Sequence, residues 1–414
     1  MNAMNNPSSE REQLIRVFVK GGIIRPETLQ HVLRASNKAG NTFVLFGSRE
    51  DILFPVEEHC LQEVQQMMRP YGIDFEYGNR DAYQNVVSSV IALEITPHTP
   101  WLNQDNYLAV LKTFDYTPNL KINITDAKQS MVPLFTGHLN FIATERTDYW
   151  YLYIRNPANL ERLERWPTWV ASKDLAKLSK YIEQKLLKNP KMEVADLVVG
   201  LAEYLQLDSK VPTKELVLPH SFFPYYEGLN NVNDHSLWLG LYWRNNRFDT
   251  IFLEEACKLC IQCRIPFIYI SPWKSFVIKN IGAHEQLLWE KLMGQHGINM
   301  RHSSLELNWH IPVLDDEALS LKRYLVSELD QQDICTHGLT FTIETMTDKL
   351  WFTSIVIQKD IQRSSVQQPY YHLFYAQDFN PNRSHYIPYA KAVSKEIIPA
   401  LLIEMSKMYY NMMC

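Results

Sequence analysis

No run of about 18 apolar residues occurs in this 414-residue chain, so nothing in it reads as a membrane-spanning helix. The opening stretch "MNAMNNPSSEREQ" lacks the basic, then apolar, then small-residue order of a secretory signal, and a cytoplasmic protein with no membrane partner is expected. Cysteine is scarce: three of the six cluster at Cys257, Cys260 and Cys263, and three are scattered at Cys60, Cys335 and Cys414. That supply suits a reducing compartment better than a disulfide framework. A strong net charge is also missing. At −5 there is no global drive toward nucleic acid, and no nucleic-acid partner is expected.

Familiar catalytic signatures are absent as well. There is no G-x-G-x-x-G after a strand, no G-x4-G-K-[ST] and no G-x-S-x-G, which removes dinucleotide-binding, P-loop and α/β-hydrolase readings. Thirteen histidines are present, none at H-x3-H or H-E-x-x-H spacing, so no metal site is expected from them. The basic helical face of "KDLAKLSKYIEQKLLKNPK" reads as a solvated face or a protein contact.

What is there is apolar and aromatic. Hydrophobic residues make up 46% of the chain, with 10 Trp, 22 Tyr and 18 Phe, a supply that fits large sheet faces packed on helices. Within that material a supersecondary unit occurs twice. "LIRVFVKGGIIRPETLQHVLRASNKAGNTFVLFGSREDILFPV" returns 224 residues later as "WLGLYWRNNRFDTIFLEEACKLCIQCRIPFIYISPWKSFVIKN". Val44, Leu45 and Phe46 fall on Ile268, Tyr269 and Ile270; after one inserted residue, "YGIDF" at 71–75 falls on "HGINM" at 296–300. The pattern predicts an α+β, pseudo-two-fold duplicated fold, each half opening with a β-α-β-β-α-β ferredoxin-like layout.

Behind each opening come strand-like runs: "VVSSVIALEI", "NLKINITD", "LNFIAT" and "YWYLYIRNP" in the first half, "GLTFTIE", "WFTSIVIQ" and "YYHLFYAQDF" in the second. Residues 172–208 read as helices broken at Asn189-Pro190, and "KAVSKEIIPALLIEMSKMYYNMM" as a terminal helix. The expected organisation is a polar tail (1–13), ferredoxin-like half-domain 1 (14–80), α/β domain 1 (81–211), a linker (212–235), ferredoxin-like half-domain 2 (236–302) and α/β domain 2 (303–414).

This order, with "VKGGIIRPETL", "FGSREDILF", "LKIN" and "CTHGLTFTI", resembles the sulfite and nitrite reductase hemoproteins, whose two halves each join a ferredoxin-like half-domain to a sirohaem-fold domain. The likeness spans nearly the whole chain. It is similar still more to a branch of Bacteroidetes-type bacteria in which a rubredoxin module follows a reductase-like body. Here the chain ends at "MMC" without the two C-x2-C knuckles of that module.

The resemblance implies a 4Fe-4S cluster bridged to sirohaem, held by cysteines paired as C-x5-C and C-x3-C. On the matching segment the cysteine is Cys335, and Leu339 stands where its C-x3-C partner would be; "SSLELNWHIPVLDDEAL" has none. The family's oxyanion is gripped by several cations, of which Arg49 matches the arginine of the T-R-Q turn and Lys121 the first lysine of a K-x-K strand; the second lysine position is Asn123. A remnant sirohaem or haem site is the most the resemblance implies, with Arg49, Lys121, Asn123 and Lys20 as its anion- or tetrapyrrole-binding residues.

Each of these has a plainer reading. Arg49 in a turn next to Glu50 and Asp51 suits a surface ion pair. Strand alternation puts Lys121 opposite Ile122 and Ile124 and so toward solvent, and Lys20-Gly21-Gly22 suits a turn with positive φ. His98, His138 and His337 lie in segments that border the family's haem cavity. The nearest approach to a metal pair is Cys335 with His337.

Cys257, Cys260 and Cys263 form a C-x2-C-x2-C run resembling the first ligands of a bacterial ferredoxin cluster. The repeat places them on Leu33, Ser36 and Ala39, and a spacing of three keeps them near one helical face. With no fourth cysteine in reach and no Pro directly after the last, they read as structural cysteines. The expectation is a degenerate reductase-like protein, accessory to nitrogen or sulfur assimilation, with a rubredoxin- or ferredoxin-type carrier or a reductase as partner. The alternative is a non-catalytic interaction or scaffold protein with a closed cofactor cavity.

Overall fold

The computed structural model describes residues 13–78, 82–201, 204–220, 222–243, 245–299, 304–345, 350–365 and 368–413. The expected polar tail, Met300 and Cys414 lie outside them, apart from Gln13, which begins a strand.

Four sheets carry the described residues. In the first, Phe43–Phe46, Ile52–Val56, Gln13–Val17 and Phe75–Tyr77 lie side by side and antiparallel, with the helices Pro26–Lys38 and Leu61–Met68 between them in sequence. That is the expected β-α-β-β-α-β layout. Pro26 opens the first helix at a position where a missing N–H costs nothing. Its apolar stripe of Leu29, Val32 and Leu33 is buried.

The second sheet runs Gly228–Asn233, Ser236–Tyr242, Ser275–Gly282 and Ile268–Ser271. Two expectations are corrected here. The strand expected at 296–300 is not formed over 296–299. Its place beside Ser236–Tyr242 is taken by Gly228–Asn233, from the segment read as linker. The reason is local: Asn233 pairs with Ser236 across a two-residue turn, and a tight hairpin closes at far less entropic cost than a distant strand.

Each of these sheets borrows an edge strand. Ile24 pairs with Ile268 in the second sheet, and Phe248 pairs with Val44 in the first. At the 224-residue offset Ile24 corresponds to Phe248 and Val44 to Ile268, so the two exchanges are counterparts. The helices Pro26–Lys38 and Thr250–Gln262 pack on one another, and one apolar cluster runs through both sheets.

The other two sheets repeat one topology. Val86–Ser88, Ile122–Thr125 and Leu139–Ala143 are parallel, and Tyr149–Arg155 then joins antiparallel, backed by Gln104–Thr113 and Leu175–Lys188. Trp309–His310, Phe341–Glu344 and Ile355–Lys359 are parallel, and Tyr370–Ala376 joins antiparallel, with Asp316–Gln331 and Ile398–Met413 as helices. The run "VVSSVIALEI" is a strand only to Ser88, whose hydroxyl caps a 3-10 helix over Ser89–Ala92. The terminal helix starts at Ile398, because Lys391 to Ser394 finish the edge strand Tyr386–Ser394. Among the described residues no helix is long and apolar enough to cross a membrane.

Candidate functional site

The turn after Phe43–Phe46 folds back through Gly47, whose N–H donates to Asp51 O, and puts Glu50 in the left-handed region at φ 59°. Arg49 is thereby turned inward and buried, which corrects the surface ion-pair reading. Its guanidinium donates to Asn123 Oδ1 at 2.7 Å, to Asn85 O at 2.9 Å and to Ile122 O at 2.8 Å. Asn123 Nδ2 in turn donates to Thr136 Oγ1 at 2.7 Å. Two of the sequence candidates, Arg49 and Asn123, are therefore in contact, but with each other.

The Glu50 carboxylate has a partner of its own. Its Oε2 accepts from Ser88 N at 3.0 Å, while its Oε1 has no hydrogen-bond partner. Complete burial pushes its carboxyl well above the usual range, against the opposing pull of the Ser88 N–H and of Arg49. Asp51 lies 4.0 Å from Arg16.

Lys20 stands elsewhere. Its ammonium donates to Phe114 O, the residue closing helix Gln104–Thr113, where a cation complements the helix dipole. Burial lowers its pKa, partly offset by Asp74 and Asp115. Gly21 and Gly22 both have φ 69°, and a Cβ on Gly22 would sit 2.7 Å from Glu50 Oε2 and from Ile270 O. The glycine pair is a packing requirement. Lys121 precedes the strand Ile122–Thr125 and is half-buried; its main chain receives His138, whose Nδ1 accepts from Lys121 N at 3.1 Å. Alternation misled there, since all four residues of that strand are buried.

His98 is exposed, with Nδ1 3.4 Å from Thr96 O. His337 is exposed and stacks on Tyr225 at 4.7 Å. Cys335 is exposed and receives Tyr410 Oη at 3.4 Å, whereas Leu339 is fully buried in the apolar core of its domain. Cys257 and Cys260 are fully buried, and burial holds both thiols far above their ordinary range. Cys263 caps the helix and is half-buried, its thiol pushed up to about 11 by burial and by Glu285. Among the described residues no group of three His, Cys, Asp or Glu is placed to hold a metal.

Next to the Asn123 contacts the space among the described residues is narrow. A void of about 20 Å³ is bounded by Pro133, Phe223, Trp273, Trp351 and Phe352. Trp273, the counterpart of Arg49 at the 224 offset, packs edge-on to Phe223 at 4.7 Å and to Phe352 at 5.4 Å, and its Nε1 donates to Met131 O at 3.0 Å.

Sequence reasoning missed a set of buried lysines in the second half: Lys274, Lys279 and Lys322. Burial drives Lys274 down to about 7 and Lys279 to about 8. Lys274 is the counterpart of Glu50 and shares its left-handed backbone, at φ 57°. The repeat offset was the one signal that could have drawn attention to it.

The fold is similar to that of the NirA protein of Mycobacterium tuberculosis, with a TM-score of 0.71 at 14% identity over 95% of this chain and 80% of that one. No protein-family model matches the sequence, and no curated protein does. The likeness is one of fold, and it agrees with the nitrite/sulfite-reductase-like α+β architecture that the motifs resemble. The sirohaem and bridged cluster implied by the motifs do not fit the residues present. A tetrapyrrole needs a pocket on the order of 300–1,000 Å³, against a void of about 20 Å³ beside the Asn123 contacts, and the buried Leu339 stands where the resemblance would place a cluster cysteine.

Proposed function

We propose that this chain is a non-catalytic interaction or scaffold protein built on a nitrite/sulfite-reductase-like fold, with its central cofactor space closed by side chains. The observation carrying this reading is the junction of Arg49 with Asn123. The guanidinium that would grip an oxyanion is spent on a carboxamide and two main-chain carbonyls. A buried arginine so engaged has little reason to exchange those partners for a dissolved anion. The Trp273 cluster supports the same conclusion, because dispersing that aromatic packing to admit a ring would cost several kcal/mol, roughly as much as deleting a core tryptophan.

In this reading the two halves are copies of one unit. The reciprocal pairings Ile24 with Ile268 and Phe248 with Val44 support duplication. The partner is an electron-transfer protein of rubredoxin or ferredoxin type, or a reductase, the class implied by the resemblance to the rubredoxin-bearing branch. The role is accessory to nitrogen or sulfur assimilation. Absorption spectroscopy of the protein as purified, followed by titration with sirohaem and with haem, tests the closed cavity. A spectrum without a Soret band that stays unchanged on titration supports the reading, and a stoichiometric Soret band overturns it.

A further inference from the structure

Of the three buried lysines in the second half, two have their acceptors. Lys279 Nζ donates to the carbonyls of Val90 and Leu93, each at 3.1 Å, and sits 4.2 Å from the Tyr269 ring centre. Lys322 donates to the Tyr242 hydroxyl and lies 4.0 Å from Glu306. Lys274, only 7% exposed, makes no side-chain hydrogen bond and no ion pair among the described residues. A buried amine without an acceptor is costly in either protonation state and more so when charged.

That amine lines a cavity. An inner lobe of about 50 Å³ is walled by Trp273, Lys274, Trp309 and Asp315, room for more than one water or for a small oxyanion. The lobe shares Tyr242, Asn245, Arg247, Asp316 and Leu319 with an outer cleft of about 610 Å³. Arg247 and Arg323, both exposed, stand on the rim of that cleft. Asp315 is not a free counterion for Lys274, since it already accepts from Ala318 N at 2.8 Å and from the Thr345 hydroxyl. At the equivalent place in the first half stands Glu50, whose Oε2 accepts from Ser88 N.

We propose that this lobe and cleft form a ligand site, in which the Lys274 amine receives the oxyanion head of a small phosphate- or carboxylate-bearing molecule and the cleft under Arg247 and Arg323 takes its body. Trp273 walls both this lobe and the closed central space, but anion binding in the lobe does not depend on whether that space admits a tetrapyrrole. The groups facing Lys274 are Asp51 and Asp315, which favour its charged form, and Lys322, which opposes it. His310, held neutral by burial and by Lys274 itself, is the other titratable neighbour. An oxyanion contact favours the ammonium, so binding above neutral pH takes up a proton and weakens as the pH rises.

Isothermal titration of the full chain with inorganic phosphate and with malonate, at pH 6.5 and 8.5 in low chloride, tests this. The expected result is saturable one-to-one binding of at least one probe, weaker at the higher pH with proton uptake, and reduced about tenfold or more in Lys274→Met. Preference for phosphate or malonate identifies the head group. Should Lys274→Met fail to fold, the exposed double variant Arg247→Ala/Arg323→Ala serves instead, with a severalfold loss expected. Absence of binding by either probe, or equal affinity in the folded variant, overturns the proposal.

Discussion

Arg49 and Asn123, from different sheets, are joined by a 2.7 Å hydrogen bond, and that bond occupies the place where the resemblance calls for two cations around an anion. Removing the carboxamide leaves a buried guanidinium short of an acceptor. Asn123→Ala is expected to cost about 1–3 kcal/mol, and Asn123→Lys about 3 kcal/mol or more, because it buries a second cation beside the first. Urea denaturation measures both. An Asn123→Lys protein with an unchanged midpoint would mean that the junction still tolerates clustered positive charge.

Trp273 fills the centre between Phe223 and Phe352. Trp273→Ala is expected to lower stability by about 3–5 kcal/mol, the usual cost of deleting a large core aromatic. A loss under about 1 kcal/mol in the same unfolding assay would show that the centre is loosely packed and undo the argument from closure.

The cysteine run gives a chemical test. Cys257 and Cys260 are buried with thiols held far above neutral, so they have neither access nor thiolate. Alkylation of the native protein followed by peptide mapping should label Cys335 first, leaving Cys257 and Cys260 unmodified until denaturant is added. Fast native labelling of either one contradicts a packing role.

Much of this was legible in the sequence because burial imposes a period. Leu33, Ser36 and Ala39 predict the environment of Cys257, Cys260 and Cys263 position by position: buried, buried and half-buried in both helices. The strand at Gly228–Asn233 was not legible, since "GLNNVN" has few apolar side chains and pairs through its backbone and a tight turn. Nor was the inward turn of Arg49. Charge at a turn ordinarily means solvent, and only its long-range partners Asn85, Ile122 and Asn123 show otherwise. Lys274 escaped for the same reason, because nothing local in "SPWKSF" distinguishes a buried lysine from an exposed one.

Glu50 and Lys274 should give the stability curve opposite slopes. The Glu50 carboxyl is raised above 4.5, so above that pH the folded chain keeps a proton that the unfolded chain releases, and stability falls as pH rises toward the folded pKa. Lys274 is lowered from 10.5 to about 7; between those values the unfolded chain holds the extra proton, and stability rises with pH. Denaturation midpoints across pH should show Glu50→Gln flattening the acidic side and Lys274→Met the alkaline side. Unaltered slopes in both variants would contradict the burial assigned to these groups.

The closed centre is tested most directly by adding sirohaem, and separately haem, to the purified protein and following the Soret region together with protein-bound iron and acid-labile sulfide. The arrangement of Arg49, Asn123 and Trp273 predicts no stoichiometric band and no cluster. A one-to-one Soret complex, or iron and sulfide at the level of a 4Fe-4S centre, would contradict it.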